Sequence, residues 1–256
     1  MTNLTTAMLV GAAALLACNA HAGQTLDTTG FTLSQPGQWS NAQMAVLSDH
    51  GGILQIGISG LQPVRTVTTD LGNAPWYNWD AVNTGLSAYA KPGYRLASVT
   101  LSGTLTGLLG VAPLPAVCSS PDHACGLGVA TNQATLEWGT SQGPTSVDYQ
   151  QLEVNNLDGE RTFSLTTTFG SGDAFDFYIA TYNTAYAEAG RYRHLDASST
   201  NYLPTTSEIG FGDMVMTVQI VAVPEPGTYA MLLAGMGLLG MAARRQRKDG
   251  VNENAR

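Results

Sequence analysis

The segment Arg161-Thr-Phe-Ser-Leu-Thr-Thr-Thr-Phe169 puts Phe163, Leu165 and Phe169 on one parity and Thr or Ser mostly on the other. A repeat of two marks a half-buried β-strand, because successive side chains of a strand point to opposite faces. Segments that alternate or are rich in β-branched and aromatic residues recur along the chain. They are Gln43 to Leu47, Ile53 to Ser59, Val64 to Thr69, Tyr94 to Leu101, Ala134 to Trp138, Tyr149 to Val154, Phe175 to Tyr182 and Met214 to Val223. Between them stand turn-forming clusters: Asp49-His-Gly-Gly52, Ser141-Gln-Gly-Pro144, Asn155-Asn-Leu-Asp-Gly159 and Gly170-Ser-Gly-Asp173. No segment of the body has a convincing amphipathic helical pattern; Ala81 to Ala90 and Thr184 to Arg191 come nearest to short helices. The expected fold class is all-β, an antiparallel β-sandwich or jelly roll over residues 23–222. The chain shows no internal repeat.

Composition agrees with such a body. Hydrophobic residues make up 44% of the 256, enough for a core and against disorder. Charged residues are 12%, half of the usual ~25%. The net charge of -8 is unevenly spread: residues 23–223 hold 16 acidic and 6 basic side chains. An acidic body has no basic face for phosphates, which excludes nucleic acid as a partner.

Both ends read as addresses rather than fold. Ala7 to Ala17 is an apolar run of 11 residues, followed by Ala20-His21-Ala22. The run is too short to span a bilayer but suits the apolar centre of a secretory signal peptide, residues 1–22. The small residues Ala20 and Ala22 would direct cleavage before Gly23, with the Sec translocon and signal peptidase as partners. Two other readings stay open: lipidation of Cys18 after Leu15-Leu16-Ala17, and a buried N-terminal helix. At the other end, residues 228–243 carry no charge and are followed by Arg244, Arg245, Arg247 and Lys248. Sixteen helical residues would measure about 24 Å against an apolar layer of about 30 Å. The expectation is one short transmembrane helix in the inner membrane, its basic stop-transfer end cytoplasmic and the acidic body outside. Residues 249–256 form a polar tail.

Val223, Pro224, Glu225 and Pro226, the Gly/Leu/Met-rich run and the Arg-rich end together resemble the PEP-CTERM sorting signal of Gram-negative bacteria. The segment is also classified under the name of an ice-binding protein's C-terminal domain. The resemblance covers residues 223–248. It implies an exosortase as partner and export to the cell surface or extracellular matrix. It further implies a link to exopolysaccharide and biofilm. A permanent, unprocessed anchor is the other reading of the same residues.

Cys118 and Cys125, separated by six residues in an exported body, are expected to form a disulfide. With His123 they are one ligand short of a zinc site. Gly139-Thr-Ser-Gln-Gly143 matches the G-x-S-x-G nucleophile elbow in letters, but a strand-like stretch follows Ser141 where the elbow needs a helix. No metal spacing involves His50, His123 or His194, and no cofactor is expected. The acidic pairs Asp158/Glu160 and Asp173/Asp176 could serve a structural calcium ion or be solvated turns. Aromatic residues gather in two places. Trp76, Tyr77 and Trp79 form a candidate carbohydrate-binding patch, and Tyr178, Tyr182, Tyr186, Tyr192 and Tyr202 lie around Arg191 and Arg193. Packing within the core would explain the same rings. Thr-x-Thr pairs at Thr66/Thr68 and Thr104/Thr106 are too sparse for an ice-binding array. The functional expectation is a structural or adhesive surface protein without catalytic residues. A carbohydrate-binding module and a secreted hydrolase are the alternatives.

Overall fold

Alternation continues well beyond the segments that announce it in sequence. The structure is a computed structural model describing residues 23–35, 42–61, 64–69, 76–170, 172–223, 227 and 230–241. The proposed signal peptide, with Cys18, Ala20 and Ala22, lies outside the described residues. So do Pro224, Glu225, Pro226 and the basic cluster Arg244, Arg245, Arg247 and Lys248.

The strands among the described residues are β1 (Thr25–Asp27), β2 (Phe31–Ser34), β3 (Gln43–His50), β4 (Ile53–Ser59) and β5 (Val64–Thr69). They continue with β6 (Trp76–Ala90), β7 (Tyr94–Val111), β8 (His123–Gly126), β9 (Val129–Gln142) and β10 (Thr145–Asn155). The last five are β11 (Gly159–Thr168), β12 (Ala174–Glu188), β13 (Gly190–His194), β14 (Asn201–Leu203) and β15 (Thr205–Ala222). All pairings are antiparallel. One sheet has the order β1-β2-β6-β12-β9-β10. The second runs β11-β7-β15-β4-β3, with β5 also pairing β15. A third, smaller sheet is β14-β13-β8. The two large sheets face each other across one core, where β12 and β9 meet β15. The body is an antiparallel β-sandwich.

Inward positions fill that core with Leu, Ile, Phe and one tryptophan. Trp138 is fully buried and stacks on Phe177 with ring centres 5.5 Å apart. Phe169 and Phe175 meet at 4.1 Å, and Phe163 meets Phe211 edge-on at 6.0 Å. Each such side chain removed from water contributes roughly 1.5–3 kcal/mol, which makes this contact between sheets the main source of stability.

Ala81 to Ala90 is strand, not helix. Thr84, Leu86 and Ala88 are buried at every second position, and β6 bonds to β2 on one side and β12 on the other. Thr184 to Arg191 is likewise divided between β12 and β13. Alanine favours helix by only tenths of a kcal/mol per residue, so pairing on both edges of a half-buried strand outweighs it. Turns follow the expected chemistry. In the β3–β4 hairpin Gly51 and Gly52 both have positive φ, the conformation a two-residue turn of type I′ requires.

At the C-terminus residues 230–241 are helical, about 18 Å long, with apolar side chains such as Leu233 and Leu239 exposed. Among the described residues no helix is long and apolar enough to cross a membrane.

Candidate functional site

The outer face of the β1-β2-β6-β12-β9-β10 sheet collects most of the body's exposed aromatic residues. The register sets them in rows. Tyr77 on β6 stands opposite Tyr186 on β12, and Trp79 stands opposite Thr184. Tyr182 lies between Ala81 and Thr135. Four positions further along β12, Tyr178 lies between Gly85 and Gly139, and Gly139 in turn faces Tyr149 on β10. All these side chains share one parity of their strands, which is why they emerge together. Trp79 is 64% exposed and Tyr77 60%, values unusual for rings that could have faced a core. From Tyr178 to Tyr186 the platform is about 26 Å long at about 3.3 Å per residue.

Polar groups occupy the rows between the rings. Asn83, Ala180, Glu137 and Gln151 form one row across four strands. Gln133 Nε2 donates to Glu153 Oε1 at 2.8 Å, and Asn155 Nδ2 donates to the same carboxylate oxygen at 2.9 Å. These two bonds hold the Glu153 carboxyl below the usual carboxylate range. Tyr186 donates its hydroxyl to Glu188 at 3.1 Å. Partial loss of solvent, then the charge of Glu137 and a hydrogen bond to it, raise the Tyr149 phenol. Loss of solvent, followed by a hydrogen bond with the Tyr182 hydroxyl, pushes Tyr178 up more strongly. The Tyr149 and Tyr178 phenols therefore remain neutral and able to donate hydrogen bonds well into the alkaline range.

Between the rings of Tyr149 and Tyr178 is a slot floored by Gly139. A Cβ at Gly139 would lie 3.7 Å from the Tyr149 ring and 3.9 Å from the Tyr178 ring, so glycine leaves the space between them open. The slot belongs to a cavity of about 270 Å³ that Ser141, Asp148 and Asp176 also line. A bulge in β10 between Ser146 and Asp148 helps to open it. Asp148 Oδ2 accepts from Gln150 Nε2 at 2.6 Å and from Thr167 Oγ1 at 2.9 Å. Asp176 Oδ1 accepts from Ser87 Oγ at 2.6 Å.

Tyr77 and Trp79 thus stand on this platform together with Tyr178, Tyr182 and Tyr186, while Trp76 pairs with Ala187, one position off their parity. Tyr192 and Tyr202 belong to the small sheet. Sequence reasoning missed Tyr149 and Glu137, whose place beside Tyr178 depends on the non-local β9–β10 and β9–β12 pairings. Ser141 sits near the end of β9, and Gly143, with positive φ, turns directly into β10. No helix follows this serine, so a nucleophile elbow is not built. Cys118 and Cys125 form a disulfide with S–S 2.07 Å. His123 and His194 meet edge-on at 5.0 Å. Among the described residues no group of three His, Cys, Asp or Glu side chains converges as a metal site.

The family model of the PEP-CTERM protein-sorting motif matches residues 222–248. The chain carries a PEP-CTERM sorting motif at its C-terminal end. The motif implies exosortase processing, with export and transit through the membrane to the surface. No curated protein matches the chain. The chain has loose structural likeness to TmCBM61 in complex with beta-1,4-galactotriose, at TM-score 0.22 and 8% identity, covering 62% of this chain and 91% of that one. A CBM4 structure aligns at TM-score 0.18 and 14% identity, covering 67% and 86%. The cowpea mosaic virus top component aligns at 0.21 and 8%, covering 56% and 87%.

Proposed function

We propose that this chain is a non-catalytic surface protein that holds neutral polysaccharide on the outer face of its β6-β12-β9-β10 strands. The observation carrying this reading is the register that sets the exposed Tyr77, Trp79 and Tyr182 beside the half-buried Tyr186, with polar rows between them. Rings of this kind offer flat apolar faces to the C–H faces of sugars. Carboxylates and amides beside them accept and donate to sugar hydroxyls, the usual division of labour in a binding site. Glu137, Glu153 and Glu188 on the same face repel acidic chains and favour neutral ones. An adhesive role in exopolysaccharide or biofilm follows from this placement on an exported body. The C-terminal helix holds the body at the inner membrane in transit, before release near Glu225.

The test is affinity electrophoresis of the protein in gels cast with neutral polysaccharides. Wild-type protein is retarded in at least one gel, and Trp79→Ala/Tyr182→Ala runs as in an empty gel. Both residues are solvent-exposed, so the melting temperature should not change. Equal retardation of the two proteins would remove the platform from the binding site. The hydrolase reading has one observation in its favour, the presence of Asp148 and Asp176 in the same cavity. Polysaccharide recovered shortened after incubation would move the function to catalysis.

A further inference from the structure

The six basic residues of the body are scattered except for Arg191 and Arg193, which share one face of β13. They line a second cavity of about 450 Å³ with Tyr202, Thr200, Ala124 and Gly126. The small sheet builds this cavity by register. Arg191 stands between Gly126 on β8 and Tyr202 on β14, and Arg193 stands beside Ala124. Because Gly126 has no side chain, the stem of Arg191 lies directly over it, with Cγ 3.6 Å and Nε 3.7 Å from where a Cβ would be. Both arginines are exposed, and among the described residues no carboxylate lies within 4.0 Å of either. The nearby Asp196 turns to His194 instead, at 3.8 Å.

Two unpaired guanidinium groups in a net-acidic body need an explanation. We infer that Arg191 and Arg193 form a second binding site, distinct from the aromatic platform, for the anionic groups of an acidic polysaccharide. Guanidinium presents a planar fork of donors that matches a carboxylate or sulfate oxygen pair. The exposed Tyr202 ring supplies an apolar wall for the sugar carrying that group, and Thr200 a hydroxyl. Two cations suit single carboxylate or sulfate groups set apart along a sugar chain, whereas nucleic acid and anionic bilayers present dense phosphates that are held by larger basic clusters.

The experiment is calorimetric titration of the full chain with oligogalacturonate, galacturonic acid monomer, inorganic phosphate and a neutral oligosaccharide. Wild-type protein binds oligogalacturonate more tightly than the monomer or phosphate, and added salt weakens the binding. Arg191→Gln/Arg193→Gln lowers that affinity by about tenfold or more, since two charge-assisted contacts are lost. It leaves retention in neutral-polysaccharide gels unchanged, which separates this site from the aromatic platform. Arg191→Lys/Arg193→Lys keeps part of the binding and shows that the fold of the small sheet survives replacement. Oligogalacturonate bound equally by wild type and the Gln variant would overturn the inference. So would phosphate bound as tightly as the oligomer, since that describes an ion site and not a polysaccharide site.

Discussion

Trp138 is fully buried, yet its indole N–H has a partner: Nε1–H donates to Thr167 Oγ1 at 2.9 Å. The Thr167 hydroxyl in turn donates to Asp148 Oδ2, and Gln150 Nε2 donates both to that oxygen and to the Thr166 carbonyl at 2.8 Å. This chain links β9 and β10 of one sheet to β11 of the other and closes the sandwich edge beside the slot. The bond from Gln150, reinforced by Thr167 and the Tyr149 backbone, holds the Asp148 carboxyl below the usual carboxylate range against partial burial. A pKa lower in the folded state stabilises the fold above the unfolded value of about 3.9, and the contribution is lost as pH falls through the folded value. The difference in melting temperature between wild type and Asp148→Asn should therefore be constant above about pH 5 and shrink below about pH 4. A difference that stays constant through the acid range would mean that Asp148 is not held as described.

Among the strands, Ile53 to Ser59 and Val64 to Thr69 are legible to the residue, because glycine and proline punctuate their flanks and β-branched residues fill them. The long strands β7, β9, β12 and β15 were legible only in part. Their ends are rich in Ala, Thr and Gly, with little local preference, and are held by partners far away in sequence. The candidate site divides in the same way. Tyr77 and Trp79 stand out as neighbours in sequence, whereas Tyr149 and Glu137 join them only after the β9–β10 hairpin folds onto β12. The small sheet could not be read either. Its β8–β13 pair continues the β9–β12 ladder after a break at which Gly128 and Gly190 are too close for side chains: a Cβ on Gly128 would lie 2.9 Å from the Gly190 nitrogen. The Cys118–Cys125 disulfide ties the entry to β8. Closing a loop of this size contributes about 2.5 kcal/mol. Cys118→Ser/Cys125→Ser should speed amide hydrogen exchange in β8 and β13 and leave the β7–β15 ladder protected. Loss of protection throughout the sandwich would show that the small sheet is not a separate unit of stability.

The whole molecule joins an acidic, lysine-poor sandwich to a C-terminal signal that matches the PEP-CTERM model. The charge is unevenly spread: residues 23–223 are net acidic, whereas residues 244–256 are net basic. Replacement of Pro224, Glu225 and Pro226 by alanine, in cells that make the protein and its exosortase, should leave it membrane-bound at full mass. The parent protein should leave the membrane fraction at reduced mass; identical masses and fractions for both would contradict the processing account. The central claim, that neutral polysaccharide lies on the outer sheet face, is tested most directly by hydroxyl-radical footprinting of the full chain with and without bound glycan. The account predicts that oxidation of Tyr77, Trp79 and Tyr182 falls on binding while Tyr202 is oxidised as before. Unchanged oxidation of Tyr77, Trp79 and Tyr182 in the bound state, whatever happens at Tyr202, would contradict it.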